Sequence, residues 1–230
     1  MKAVFLDIDN TLLDFDEYVR TTMRDGFSHF GLKRYEPWMY DIFTKVNNVL
    51  WGDIEKGKLS FEVLRMIRWN KVFEQLDISF DGVQFEEYFQ NALNESAIPV
   101  EGAYDLLKAL KGRYLVCAAS NGPYYQQIHR LEICGMLQYF DHVFVSEKAG
   151  FSKPAAEFFD YIFGMLGNEI RPADCVMVGD SLSSDIAGGT AYGMKTCWYR
   201  RNPAKTADIH TDFIVDHLHE IISVMDVLEK

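Results

Sequence analysis

The chain has 230 residues and a formal net charge of −11, because 34 acidic side chains outnumber 23 lysines and arginines. This balance leaves no basic face to neutralise phosphates, so we expect no nucleic acid polymer as a partner. Hydrophobic residues make up 48% of the sequence and charged residues 25%, which is ordinary for a soluble globular protein.

The cysteines and the apolar segments bear on cellular location. No secretory signal pattern precedes the first apolar run, and no apolar stretch approaches membrane-spanning length. The four cysteines are scattered and lack the close spacing of a zinc site: Cys117, Cys134, Cys175 and Cys197. We interpret them as free thiols in a reducing compartment, and we expect a cytoplasmic protein with no membrane partner.

The first predicted strand is Ala3–Leu6, an apolar run typical of a strand buried on both faces of a parallel sheet. Asp7 and Asp9 follow it, at the edge where open α/β sheets bind their ligands. On an extended chain these side chains point to opposite faces, but a loop after Asp7 would let both reach one site. The pair alone is compatible with either a functional site or a polar turn.

Residues 16–97 show helical periodicity and no convincing strand. The predicted helices cover 17–30, 37–52, 61–75 and 85–94, with glycines in the breaks between several of them. The segment has enough apolar and aromatic side chains to pack its own small bundle. We therefore predict a helical cap, residues 16–97, inserted into a core domain formed by residues 1–15 and 98–230.

From residue 98 onward, predicted strands and helices alternate. The strands are 115–119, 142–145, 175–178, 195–199 and 213–215, and a predicted helix follows each of the first three and the last. Alternation of this kind indicates right-handed crossovers and a parallel sheet. The predicted fold class is α/β, with a doubly wound, Rossmann-like parallel-sheet core and an inserted helical-bundle cap.

Polar side chains follow the second and third core strands. Ser120-Asn121-Gly122-Pro123 ends one strand and begins a helix, which would point backbone N–H groups at a ligand such as phosphate. The alternative is a helix cap with no ligand. Lys153-Pro154 follows the next strand, and the proline restricts the lysine backbone so that its ammonium could lie over the same edge of the sheet.

Asp180 follows the predicted strand 175–178 and Gly179. Asp185 lies five residues further on, at a predicted helix start. Asp180 would then face Asp7 and Asp9 across the edge of the sheet. Clustered carboxylates repel unless a cation or a shared proton intervenes, and oxygen ligands without His or Cys favour Mg²⁺ over zinc. Carboxylates, Mg²⁺ and phosphate-binding donors together indicate phosphoryl transfer.

These motifs, in order, carry a family resemblance. Asp7-x-Asp9-x-Thr11, Ser120, Lys153-Pro154 and Gly179-Asp180-Ser181-x3-Asp185 resemble the haloacid dehalogenase superfamily of phosphohydrolases. The resemblance covers essentially the whole chain, and the insert after the first motif resembles the α-helical cap class of that superfamily. We expect the cap to swing about the two connections near residues 14–15 and 97–99, because water must be excluded before attack.

The resemblance implies the chemistry of the acidic residues. Asp7 would be the nucleophile that forms an aspartyl-phosphate, and Asp9 would protonate the leaving alkoxide and later activate water. Mg²⁺ would be held by Asp7, Asp180 and the backbone carbonyl of Asp9.

The remaining matched residues would bind and orient the phosphoryl group. Ser120 and Lys153 would bind its oxygens, with Lys153 also shielding the nucleophile and the amides of Asn121 and Gly122 assisting. Asp185 would lie behind them and orient Lys153 or a metal-bound water. Two further residues of the first motif would contact the substrate and shape the loop around it: Asn10 and Thr11.

The second acidic residue, Asp9, limits which reactions of the superfamily this chain could catalyse. In the dehalogenases of the superfamily the position of Asp9 is not acidic, since a halide needs no proton to leave, so dehalogenation is disfavoured. Phosphomutases keep the acid but often continue with Gly-Val, whereas this chain has Asn10-Thr11, which favours a hydrolase. A phosphate-binding module without activity is a further alternative.

The predicted cap bears on the substrate. Trp51, Gly57 and Arg65 broadly resemble the branch that contains bacterial pyrimidine 5′-nucleotidases, as does Ser120-Asn121-Gly122. We therefore expect a small phosphate ester, a nucleoside 5′-monophosphate first and a sugar phosphate as the alternative. Cap aromatics could stack on a base, or they could simply fill the cap core. The enzyme would be a monomer or small homo-oligomer.

Overall fold

Six strands form one parallel sheet in residues 1–229, the part of the chain that this computed structural model describes. In chain order they are β1 Ala3–Leu6, β2 Leu115–Ser120, β3 His142–Val145, β4 Cys175–Gly179, β5 Lys195–Tyr199 and β6 Phe213–Val215. Their order across the sheet is β3-β2-β1-β4-β5-β6, and every neighbouring pair is parallel. The predicted doubly wound α/β fold is confirmed.

The chain divides into two compact units. The α/β unit comprises Met1–Asp14 and Ala97–Lys230, and the helical unit comprises Phe15–Ser96. The helices of the helical unit are α1 Phe15–His29, α2 Met39–Glu55, α3 Phe61–Leu76 and α4 Gly82–Asn94. Those of the α/β unit are α5 Ala103–Leu110, α6 Tyr124–Ile133, α7 Ser146–Ala149, α8 Ala156–Leu166, α9 Ala187–Ala191 and α10 Glu220–Leu228. Three short segments are 3₁₀ or π helices: Leu137–Tyr139, Pro172–Asp174 and Leu182–Ile186.

Both faces of the sheet are covered, which explains why its strands are uniformly apolar. Alternate residues of β1 belong to different cores: Val4 and Leu6 to one, Ala3 and Phe5 to the other. The first core includes buried residues of α5 and α10, namely Leu106, Leu107, Leu110, Ile221 and Met225. The second includes buried residues of α8, namely Phe158, Phe159 and Ile162. The sheet is thus held rigidly between two helical layers.

The helical unit has an aromatic core of its own. Trp69 is completely buried there and packs against Phe43, Phe73, Phe85 and Phe89. For this ring the structure supports the simpler of the two sequence interpretations, in which an aromatic side chain fills the core.

The same unit buries a charged pair. The Arg68 guanidinium lies 2.6 Å from Glu86 and donates to Asn47 at 3.0 Å, and both charged side chains are 2% exposed. Hydrogen bonds from three sides compensate for the loss of water around these charges.

Among residues 1–229, no helix combines the length and apolar composition needed to cross a membrane.

Candidate active site

The carboxyl ends of three neighbouring strands bring the predicted motifs together. Leu6 of β1 lies in register with Ala118 of β2 and Val178 of β4. Because the strands are parallel, the residues that follow emerge at one edge of the sheet. Asp7, Ser120 and Asp180 therefore share that edge, as the sequence predicted.

Lys153 joins this edge through its ammonium group. Its Nζ donates to Asp7 Oδ1 at 2.8 Å, to Asp185 Oδ1 at 2.7 Å and to the backbone carbonyl of Ala119. All three protons of the ammonium are thus used, which compensates for burying a side chain that is 1% exposed. This arrangement fixes the lysine between two carboxylates.

Asn121 holds the lysine backbone from the neighbouring loop. Its Oδ1 accepts from the Lys153 amide at 2.8 Å, and its Nδ2 donates to the Lys153 carbonyl at 3.0 Å. The sequence prediction gave Asn121 a role in binding phosphate through its amide. The side chain ties the β2 loop to the Lys153 loop and so positions Lys153, while the contact of the Asn121 backbone amide with phosphate stays a prediction.

Burial and charge shift the protonation equilibria of this pair. Burial, together with the negative charges of Asp185 and Asp9, raises the pKa of the Asp7 carboxyl to about 7 against the opposing charge of Lys153. Burial lowers the pKa of the Lys153 ammonium, but the charges of Asp185 and Asp7 outweigh burial and hold that pKa above its ordinary value. The lysine is therefore a fixed positive charge, and Asp7 exchanges its proton near neutral pH.

Three carboxylates form a cluster suited to a metal ion. Asp7, Asp180 and Asp185 each offer an oxygen, and these oxygens lie within 4.8 Å of one another. An all-oxygen set at this spacing fits a small hard cation such as Mg²⁺. Asp185, which we predicted to lie behind the metal ligands, contributes a carboxylate oxygen to this group. The Asp9 carboxylate lies outside it, and the predicted ligand from that residue is its backbone carbonyl.

The loop after β4 is shaped to present these groups. Asp180 receives a hydrogen bond on its carbonyl from Trp198 Nε1 at 2.9 Å. Asp185 lies in the π-helical segment, where its Oδ2 accepts from the Ser181 amide at 3.1 Å. Hydrogen bonds thus fix the backbone of Asp180 and the carboxylate of Asp185.

Asp9 is held by two residues that the sequence analysis did not single out. Arg130 Nη1 donates to Asp9 Oδ1 at 2.6 Å, and Gln127 Nε2 donates to Oδ2 at 2.6 Å. Both donors come from α6 and are 1% exposed, whereas the Asp9 side chain is 31% exposed. The second acid of the first motif therefore faces helix α6.

Ser120 is oriented by the start of the same helix. Its Oγ accepts hydrogen bonds from the Gly122 amide at 3.0 Å and from Gln127 Nε2 at 3.2 Å. With two donors pointing at the oxygen, the hydroxyl proton is directed elsewhere and can be donated to an anion. The Gly122 amide, which the sequence analysis assigned to phosphate, is bonded to Ser120 here.

Two predicted substrate contacts are placed differently from the expectation. Thr11 is completely buried, and its hydroxyl accepts from the Asp180 amide at 3.2 Å, so it braces the metal-cluster loop instead of facing a ligand. Asn10 has a positive φ of 63°, and both its side-chain oxygen and its carbonyl accept from Arg201. Arg201 also binds Asp14 at 2.8 Å, so this arginine anchors the end of the first motif.

Comparisons with known proteins agree with the motifs. A family model described as haloacid dehalogenase-like hydrolase matches residues 1–193. The chain is 33% identical to pyrimidine 5′-nucleotidase YjjG of Escherichia coli, over 95% of each chain. It is 32% identical to pyrimidine 5′-nucleotidase PynA of Streptococcus pneumoniae, over 99% of this chain and 94% of that protein.

A solved structure shows the same fold. The crystal structure of the HAD-family protein YfnB from Bacillus subtilis, bound to magnesium, superposes with a TM-score of 0.90. It is 27% identical to this chain and covers 98% of both chains. The resemblance predicted from the motifs is confirmed. The chain belongs to the haloacid dehalogenase-like hydrolase family.

Proposed function

We propose that this protein is a Mg²⁺-dependent phosphomonoesterase that works through an aspartyl-phosphate on Asp7. The observation that carries the proposal is the Lys153 ammonium between Asp7 and Asp185, beside the carboxylate of Asp180. A lysine and a carboxylate cluster at one strand edge can bind the oxygens of a phosphoryl group while a carboxylate attacks its phosphorus.

Asp7 and Asp180 would hold the metal, with Asp185 completing the acidic cluster. When bound, Mg²⁺ supplies positive charge that neutralises the phosphoryl oxygens and the carboxylates around them. Lys153 supplies charge that does not depend on the metal, and Ser120 supplies a hydroxyl donor.

The first half of the reaction transfers the phosphoryl group to the enzyme. A carboxylate oxygen of Asp7 forms a bond to phosphorus while the bond from phosphorus to the substrate oxygen breaks. Asp9 gives its proton to the departing alkoxide, so the alcohol leaves neutral.

The second half releases phosphate. Asp9, now a carboxylate, takes a proton from a water molecule as that water attacks phosphorus. The bond between phosphorus and Asp7 breaks, which frees the Asp7 carboxylate and inorganic phosphate. Asp9 is then protonated again, ready for the next substrate. A halide would leave without this proton, so the acid at position 9 supports ester hydrolysis over dehalogenation.

Nucleoside 5′-monophosphates with pyrimidine bases are the substrates that we propose. The support is the similarity over nearly the whole chain to two proteins named as pyrimidine 5′-nucleotidases.

We place the enzyme in the cytoplasm, where its four free cysteines would stay reduced.

The experiment is phosphate release from a panel of esters, with Mg²⁺ and with a chelator. The panel contains pyrimidine and purine nucleoside monophosphates, sugar phosphates and an aryl phosphate. We expect chelator-sensitive release that is fastest on pyrimidine monophosphates. Faster release from sugar phosphates would show that the substrate is a sugar phosphate and not a nucleotide. An isomeric ester without free phosphate would indicate a mutase.

Two variants test the chemistry in the same assay. Asp7→Asn removes the nucleophile and should abolish release. Asp105→Asn, an exposed aspartate in the first turn of α5, is the matched control and should retain activity. Substantial release by Asp7→Asn would refute the proposed nucleophile.

A further inference from the structure

The side-chain amide of Gln127 contacts two groups of the site at once. One amide nitrogen donates to Asp9 Oδ2 at 2.6 Å and to Ser120 Oγ at 3.2 Å. Its Oε1 accepts from Arg130 Nη1 at 3.4 Å, and the same Nη1 donates to Asp9 Oδ1. Asp9, Gln127, Arg130 and Ser120 therefore form one continuous hydrogen-bond network.

The network comes from one face of one helix. Gln127 and Arg130 are three residues apart on α6, so their side chains project in the same direction. That helix begins directly after the loop that carries Ser120, and it belongs to the rigid α/β unit. The direction of the Asp9 carboxylate is thus set by an element other than its own loop.

The burial of Arg130 beside Asp9 is weak evidence of a stabilising role. Burying a guanidinium costs free energy that an ion pair often only balances, so a buried Arg is weak evidence of stabilisation. Here Arg130 is 1% exposed while its partner Asp9 is 31% exposed. The deeply buried Arg130 guanidinium therefore binds a carboxylate that remains accessible to ligands.

Gly122 leaves the room that this network needs. A Cβ atom at position 122 would lie 2.1 Å from Gln127 Nε2 and 3.0 Å from its Cδ. Any side chain there would push the amide away from both Asp9 and Ser120. The absence of a side chain at Gly122 is therefore explained by the approach of Gln127.

We propose that Gln127 and Arg130 are positioning residues that hold the acid–base carboxylate of Asp9 at a fixed place relative to the phosphate-binding hydroxyl of Ser120. This inference rests on the proposed phosphatase activity and extends it to two residues outside the motifs. The pair fixes both oxygens of Asp9 and so sets the path of the proton to the leaving oxygen. Neither residue needs to touch the substrate.

The dependence on leaving group tests this role. An alkyl phosphate needs a proton on its departing oxygen, whereas an aryl phosphate such as p-nitrophenyl phosphate leaves readily without one. We expect Arg130→Met to lower kcat/KM on an alkyl phosphate by about 100-fold and kcat/KM on the aryl phosphate much less, since kcat/KM covers only the steps up to loss of the leaving group and general acid catalysis contributes factors of about 10² to 10⁴. Gln127→Leu should act in the same direction.

Rapid mixing with the aryl phosphate gives a second readout. In Arg130→Met the first, acid-independent step should stay fast, while water attack slows because Asp9 is misplaced. We therefore expect a burst of p-nitrophenol that matches the enzyme concentration, larger than in the wild type. Arg130→Lys keeps a donor and a charge, and should recover part of the alkyl rate.

Arg68→Met is the matched control, because it also removes a guanidinium from a buried ion pair. It should lower the rates on both esters by the same factor and produce no new burst. A combination of Arg130→Met with Asp9→Asn should be no slower on the alkyl phosphate than Asp9→Asn alone.

Equal losses of kcat/KM on both esters for Arg130→Met and Gln127→Leu, without a burst, would overturn the inference and leave the pair a structural role. In that case wild-type turnover would remain and the proposed function would stand. A wild type that hydrolyses neither ester would refute the proposed function itself. Should Arg130→Met fail to fold, Gln127→Leu removes no charge and gives the same comparison.

Discussion

The approach of Asp185 to Gly179 leaves no space for a side chain on the last residue of β4. A Cβ atom on Gly179 would lie 2.1 Å from Asp185 Oδ2 and 2.3 Å from its Cγ. The other oxygen of the same carboxylate, Oδ1, accepts a hydrogen bond from Lys153 Nζ at 2.7 Å. Contact with the strand end therefore fixes Asp185, and Asp185 in turn fixes Lys153.

Gly179→Ala should consequently lower kcat/KM for phosphate esters by about 10- to 100-fold, the usual loss when a group that orients a metal ligand is displaced. Steady-state kinetics with saturating Mg²⁺ measures this. Gly164→Ala in α8 is the control, because a Cβ there meets nothing within 4 Å. Activity of Gly179→Ala equal to that of the control would show that Asp185 is not needed in this position.

Lys153→Met should destabilise the metal-free protein, because it leaves the buried carboxylates of Asp7 and Asp185 without their cation. Breaking a buried pair by removing one partner costs about 3 to 5 kcal/mol. Denaturant unfolding of the metal-free wild type and variant measures the difference. Adding Asp7→Asn to the variant should recover part of the loss, and a variant as stable as the wild type would contradict the charge arrangement.

Mg²⁺ should bind more weakly as the pH falls through neutrality. Burial raises the pKa of Asp7 to about 7, so below that pH a proton occupies the carboxyl and the metal must displace it. Above that pH the carboxylate is already ionised and the affinity levels off. Calorimetric titration of the metal-free protein should give an apparent Kd about tenfold higher at about pH 6 than at about pH 8. Equal affinity at both values would contradict the raised pKa.

Thr11→Val should weaken the support of the metal-cluster loop without altering any charge. The Thr11 hydroxyl accepts a hydrogen bond from the part-buried Asp180 amide at 3.2 Å, and such a bond contributes about 0.5 to 1.5 kcal/mol. We expect lower thermal stability and a higher Kd for Mg²⁺. Thr11→Ser keeps the hydroxyl and should behave like the wild type; if it is as impaired as Thr11→Val, the methyl group and not the hydrogen bond is important.

The sheet was predictable because buried parallel strands are apolar on both faces. Two strands extend one residue beyond their predicted ends, to Ser120 and Gly179. Both residues stay in register with the neighbouring strand, opposite Val145 and Trp198. A polar or small residue ends an apolar run in the sequence, but the backbone hydrogen bonds of the sheet continue past it.

Gln127 and Arg130 were not predictable from residue type, since polar residues in a helix are usually exposed. The sequence signal that could have found them is their spacing of three residues, which places them with Leu131 on one buried face of α6. Asp185 shows a related limit. The sequence predicted a helix starting there, whereas the residue lies inside the π-helical segment Leu182–Ile186, which hydrogen bonds to Ser181 stabilise.

The most direct test of the central claim is detection of phosphate covalently bound to Asp7. Asp9→Asn slows water attack, so this variant should accumulate the aspartyl-phosphate when it is mixed with an aryl phosphate and Mg²⁺. Acid quenching, borohydride reduction of the acyl phosphate and peptide mapping locate the modified residue. We predict modification at Asp7, lost in Asp7→Asn. Phosphate on another residue, or wild-type turnover by Asp7→Asn, would contradict the account.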